Sequence, residues 1–251
     1  MFMKKIIKLG YLVAAIILLV NCSGDGSDSG SPVGESTGKG GSMAVFTIKD
    51  NYLYTVDNQK LHVFQISNTT NPVKVNDVVI GRDIETIYSL DNLMFMGSRN
   101  GMFIYDVTNP ENPKYLSDAQ HFTACDPVVA NNTHAYVTLH SNTSCGNNLN
   151  TLMVYDISDI KKPSLIHQRN LTYPRGLAIY ENYLIICDDE LKIFDITDAA
   201  EPVLVKSVNH KFKDIVIYNE TLYAFGEQKV TQFSWIEDDF LTLTPISDIT
   251  Y

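Results

Sequence analysis

Residues 191–197 read Leu191-Lys192-Ile193-Phe194-Asp195-Ile196-Thr197, and the 251-residue chain repeats this pattern. Earlier copies are Leu61-His62-Val63-Phe64-Gln65, Met102-Phe103-Ile104-Tyr105-Asp106 and Leu152-Met153-Val154-Tyr155-Asp156, each followed by Ile or Val and then Ser or Thr. A proline stands eight residues after every aromatic, at Pro72, Pro113, Pro163 and Pro202. The aromatics lie 41, 50 and 39 residues apart, and a fifth, decayed copy places Phe233 another 39 residues on. Self-similarity at this period marks a repeat architecture.

Each repeat divides into strands. Leu177-Ala178-Ile179-Tyr180, Glu181-Asn182 and Tyr183-Leu184-Ile185-Ile186 form a hairpin pattern, repeated around Asn219-Glu220 and Asp50-Asn51. Aromatic and β-branched runs broken by short polar turns favour paired strands. The motif supplies a third strand, and the run after each proline supplies a fourth. Four strands per ~40 residues predict an all-β chain, a β-propeller of about five four-stranded blades over residues 43–251. A larger ring built by two chains, or an open stack, is the alternative. The aspartates Asp106, Asp156 and Asp195 recur at one structural position, so they are expected to accept hydrogen bonds from turn amides rather than to catalyse.

The amino-terminal region differs. Lys4, Lys5 and Lys8 precede a run from Leu9 to Val20 that is shorter than a bilayer-spanning helix requires. Residues 1–21 therefore read as a signal peptide. Leu19-Val20-Asn21-Cys22 resembles a bacterial lipobox, with Asn21 in the place usually taken by Gly, Ala or Ser. That resemblance implies lipidation of Cys22 and a membrane attachment. Ser23, rather than Asp, implies the outer membrane by similarity to enterobacterial sorting rules. Asp25 and Asp28 suit a surface-export signal like that of Bacteroidetes-type lipoproteins. Residues 22–42 then form the lipidated cysteine and a Gly/Ser/Asp-rich tether, spanning up to about 70 Å if extended.

Charge limits the partners. The whole chain carries −10; removing the three lysines of the signal leaves 16 basic and 29 acidic residues, or −13. Such a body repels nucleic acid and anionic headgroups, so the lipid and not the protein surface would hold it at a membrane.

The aromatic-Asp-Ile-Ser/Thr run with its downstream proline resembles the LVIVD-repeat proteins over most of residues 44–211. Cys125-Asp126-Pro127-Val128-Val129, Ala135 to Leu139 and Cys145-Gly146 before Leu152 to Asp156 strengthen the similarity to LVIVD lipoproteins of Bacteroidetes-type bacteria. The resemblance implies exported repeat proteins with binding or adhesion roles. It brings no established catalytic residues and no cofactor.

In a four-stranded blade, the start of strand one and the loop between strands two and three share a face. Cys125 and Cys145 sit at those two places, which predicts a disulfide in an oxidising compartment. Closing the loop of about 20 residues would contribute roughly 3 kcal/mol. Cys187 reads as a buried free thiol, with pairing to Cys145 as the alternative. No zinc spacing and no GxSxG motif occur. The same face is expected to carry a binding surface of Arg82, Asp83, Asp126, His140, Tyr173, Arg175, Phe212 and Lys213. Its cations suit an anionic group and its aromatics a sugar ring or peptide. The expected function is a non-enzymatic binding module at the outer membrane or cell surface, with an envelope protein or glycan as partner. The alternatives are an exported glycan hydrolase or lyase and a structural envelope component.

Overall fold

The computed structural model describes residues 41–120, 127–141 and 149–251. Cys22, Cys125, Asp126 and Cys145 fall outside them, as do the signal peptide and nearly all of the tether, so the expected lipidation and disulfide do too. The described part belongs to one compact unit, Glu35–Tyr251.

Its twenty strands form five antiparallel sheets, each a simple four-stranded meander. Blade 1 comprises β1 (Phe46–Lys49), β2 (Tyr52–Val56), β3 (Lys60–Gln65) and β4 (Val73–Val79). Blade 2 comprises β5 (Ile84–Leu90), β6 (Leu93–Ser98), β7 (Gly101–Asp106) and β8 (Lys114–Gln120). Blade 3 has β9 (Val128–Ala130), β10 (His134–Leu139), β11 (Thr151–Asp156) and β12 (Ser164–Asn170). Blade 4 has β13 (Leu177–Tyr180), β14 (Tyr183–Cys187), β15 (Leu191–Asp195) and β16 (Val203–Val208). Blade 5 has β17 (Asp214–Tyr218), β18 (Thr221–Phe225), β19 (Lys229–Ile236) and β20 (Asp239–Thr250). The all-β propeller expectation is met, and the decayed fifth copy builds a complete blade.

Each part of the motif has a structural task. The aromatic sits where the third and fourth strands slip register: at Val63/Phe64, Ile104/Tyr105, Val154/Tyr155, Ile193/Phe194 and Gln232/Phe233. A bulge re-aims a side chain, and here the aromatic packs on the preceding blade. Tyr105 shares a buried cluster with Tyr54, Leu61 and Val63, Tyr155 with Phe95 and Ile104, Phe194 with Tyr136 and Leu152, and Phe233 with Ile185 and Ile193. Burying such a ring contributes about 1.5–3 kcal/mol. The following Ile or Val amide donates to the hairpin turn of its own blade, as Ile196 does to the Asn182 carbonyl at 2.8 Å. The aspartates accept from amides two residues on: Thr108 to Asp106 at 2.7 Å, Ser158 to Asp156 and Thr197 to Asp195 at 2.8 Å. The proline immediately precedes the fourth strand in blades 1–4, where its missing N–H disturbs no ladder bond.

Polar bolts join neighbouring blades. A fourth-strand side chain donates to a carbonyl in the next blade: Asn76 to Glu111, Ser117 to Ile160, Arg169 to Pro202 and Lys206 to Leu241. The junction of blades 5 and 1 is built differently. Phe64, equivalent to the four buried aromatics, is only half-buried, and no apolar cluster among the described residues spans blades 5 and 1. The segment before β1 instead makes polar contacts. Ser42 Oγ and Met43 N donate to Asp214 at 3.1 and 3.3 Å, and Leu177 N donates to Ser42 Oγ at 2.8 Å.

Candidate functional site

Strand one of every blade begins on what we term the upper face, and strands one and two turn on the lower face. The upper face brings together most of the described residues expected there. Asp83, left-handed at φ 57°, donates its amide to Asn58 Oδ1 of blade 1 at 2.6 Å. Arg82 beside it is exposed. Tyr173, Arg175 and Lys213 line a small cavity of about 160 Å³ with Asp188 and Glu227.

Most of these groups are already engaged within the protein. Arg175 stacks over Tyr173, with its guanidinium carbon 4.8 Å from the ring centroid. His140 meets the same ring edge-on at 5.6 Å and is 8% exposed. Lys213 pairs with Glu227 at 2.9 Å. Phe212 differs from its expected place at the mouth. It is 4% exposed and packs against Phe233, because the aromatic of this segment is drawn into the core between blades 4 and 5. Its ring is mainly a core element, and it also contributes to the lining of the small cavity beside Tyr173, Arg175 and Lys213.

Asp188, the first residue of the acidic run Asp188-Asp189-Glu190, is also internal. Its carboxylate accepts from the Thr172 amide at 3.1 Å, from the Tyr173 amide, and from Lys192 Nζ at 2.7 Å. The side chain is fully buried. It braces the 172–175 segment, and so positions Tyr173 and Arg175.

A larger cavity lies on the lower face between blades 4 and 5, with a volume of about 750 Å³. Its wall is aromatic: Tyr180, Tyr183, Trp235 and Phe240. Tyr180 stacks on Phe240 at 4.8 Å, while Trp235 meets Tyr180 at 4.8 Å and Phe240 at 4.9 Å, both edge-on. Phe240 is buried, and the other three rings are half-exposed. The rim carries carboxylates: Glu181, Asp195, Glu220, Glu237, Asp238 and Asp239. Lys, Arg and His are absent from the lining.

The local sequence dictates this arrangement. Glu181-Asn182, Asn219-Glu220 and Glu237-Asp238 are two-residue turns between paired strands, and all three lie on one face. Glu181, Glu220 and Asp238 adopt left-handed φ values of 50°, 56° and 63°. Sequence reading passed over this groove because each turn looks like ordinary solvated hairpin chemistry. The available signal was the single tryptophan, five residues before Phe240, beside a turn in the blade adjoining the Tyr180–Tyr183 hairpin.

Among the described residues, no three His, Cys, Asp or Glu side chains cluster as a metal site.

The LVIVD repeat profile matches residues 40–79 and 173–210, which contain blade 1 and blade 4. No curated protein matches the chain. Among solved structures, a functionally unknown protein from Desulfotomaculum acetoxidans superposes with a TM-score of 0.66 at 13% identity, over 86% of this chain and 70% of that one. A protein from Lactobacillus plantarum gives 0.63 at 9% identity, over 80% and 68%. The periplasmic gluconolactonase of Pseudomonas aeruginosa gives 0.61 at 11% identity, also over 80% and 68%. At these identities the likeness concerns the fold alone. With the motif, its bulge and its turn hydrogen bonds repeated from blade to blade, the chain has a propeller architecture and carries LVIVD repeats in blades 1 and 4.

Proposed function

We propose that the chain is an exported, lipid-anchored binding module of the bacterial envelope, held by Cys22 at the outer membrane or cell surface and engaging its ligand without chemistry. One observation carries this reading: the groove between blades 4 and 5. Its volume falls in the range of small-molecule and side-chain pockets. The recurrent motif aspartates, Asp195 at the groove among them, are committed to turn amides, whereas Trp235, Tyr180 and the carboxylates Glu181, Glu220, Glu237 and Asp238 occur together only once. The chain reaches blade 1 from the upper face, where Ser42 meets Asp214.

The test is fatty-acid labelling and crosslinking in intact cells, comparing the wild type with Cys22→Ala. Label incorporated only by the wild type, together with one envelope component crosslinked through the lower face, supports the reading. An unlabelled wild type overturns the anchor. Turnover of an envelope glycan that groove substitutions abolish overturns the non-enzymatic role.

A further inference from the structure

Six carboxylates surround the groove, and no cationic side chain lines it. The upper face balances its charges: Lys213 pairs with Glu227, and Lys192 with Asp188 and Asp189. Lys206, the cation of the neighbouring fourth strand, is spent on the Leu241 and Leu243 carbonyls. The groove thus joins uncompensated negative charge to half-exposed faces of Trp235, Tyr180 and Tyr183. Carboxylates attract an ammonium or guanidinium group, and the face of an aromatic ring adds about 0.5–2 kcal/mol to that attraction. Anions are repelled by the same rim. A neutral sugar would use the rings and leave the charges without partners.

We infer that the groove between blades 4 and 5 binds a flexible ligand bearing alkylammonium or guanidinium groups. This rests on the binding-module reading and specifies its ligand class. The cation enters over the Trp235 and Tyr180 rings, and further positive groups meet Glu181, Glu220 and the Glu237–Asp239 turn. A free polyamine and a Lys- or Arg-rich protein segment share this chemistry.

The chain's only tryptophan lies in the groove, so its fluorescence reports occupancy directly. Purified full-length protein is titrated with spermine, with tetra-lysine and tetra-arginine peptides, and with an uncharged tetrasaccharide, and calorimetry is run in parallel. The key variant is Glu181→Asn with Glu220→Asn, since asparagine suits left-handed turns and removes two charges. The control is Asp50→Asn with Asp91→Asn, in the corresponding first hairpin turns of blades 1 and 2, also left-handed.

The expected result is saturable binding of the cationic probes and none of the saccharide. Affinity weakens about tenfold in the groove variant, stays unchanged in the control and falls with salt. Preference for spermine or for the peptides tells the two sources apart. Equal weakening in both double variants assigns the effect to overall charge and overturns the inference. Saccharide binding indifferent to the carboxylates overturns it too, while leaving the binding-module reading standing. No heat and no fluorescence change with any cationic probe also overturns it.

Discussion

Ser42 and Asp214 are 172 residues apart in sequence and 3.1 Å apart in the structure. The serine hydroxyl donates to Asp214 and accepts from the Leu177 amide at 2.8 Å, so one side chain ties the lead-in to blade 1 to blades 4 and 5. The fit is close on both sides: a Cβ at Gly41 or at Gly176 would collide with the Asp214 carboxylate. This small polar latch stands where the other blade junctions use an apolar seam.

The latch makes stability depend on pH. Burial pushes the Asp214 carboxyl up from 3.8 to about 6, against the donors that favour its charged form. A carboxyl with a raised folded pKa holds its proton more tightly folded than unfolded. Its contribution is therefore complete below pH 3.8 and is lost as pH rises through 6. Asp214→Asn removes that dependence. The stability of the wild type relative to Asp214→Asn should fall by roughly 2.5 kcal/mol between pH 4 and 7, read from denaturant unfolding at a series of pH values. Parallel pH profiles for the two proteins would refute the titration.

The turn aspartates predict a gain as well as a loss. Hydrogen bonds from Thr108 and Thr197 hold the Asp106 and Asp195 carboxyls below the usual range. Asp106→Ala should lower Tm by about 2–4 °C, the size of one such bond in a domain of this length. Blade 1 has Gln65 at this position. Gln65→Asp puts a carboxylate two residues before Ser67 and should raise Tm by a similar amount. Thermal scans of both variants check the pair, and a neutral Gln65→Asp would mean that Tyr52, which Gln65 also reaches, needs the amide.

The blade and its repeat were legible because the first four copies keep the aromatic and the proline at fixed offsets, and three of them the turn carboxylate, so local chemistry repeats where structure repeats. Phe212 was misread because a residue beside lysines in a loop looks exposed, and only the packing of blade 5 on blade 4 shows its ring going inward. The bracing role of Asp188 was not legible for the related reason that an Asp-Asp-Glu run gives no sign that Thr172 and Tyr173 approach it from the preceding loop. The groove was invisible for a third reason. Its wall is assembled from turns of two blades, and nothing in either turn records that the other lies beside it.

Asp188 and Lys192 should not be equivalent. The carboxylate serves two backbone amides and the ammonium, while Lys192 serves only carboxylates and keeps its stem against the sheet. Asp188→Ala strands two amides and a partly buried cation and should cost about 3–5 kcal/mol. Lys192→Met retains the stem packing and leaves Asp188 its amides, so it should cost distinctly less. Denaturant unfolding of the two variants decides this. Equal losses would show that the ion pair, and not the bracing of the 172–175 loop, is what Asp188 supplies.

Cys187 offers a probe of the intact blade. It ends β14, is 0% exposed and lies in the cluster joining blades 4 and 5. Burial, with the Asp214 charge adding to it, pushes its thiol well above the ordinary value. The thiolate is the reactive form, so both access and ionisation oppose alkylation in the folded state. Peptide mapping after iodoacetamide should find Cys187 unmodified in the native protein and fully modified in denaturant. The labelling rate then reports opening of the seam between blades 4 and 5. It should rise in Phe233→Ala, which removes a ring from the same buried cluster as Cys187 and costs about 3–5 kcal/mol. Asp106→Ala, two blades away, should leave the rate nearly unchanged below its own melting range. Rapid labelling of the native wild type would contradict the buried position of the thiol. Equal acceleration by both variants would show that the blades open together and not seam by seam.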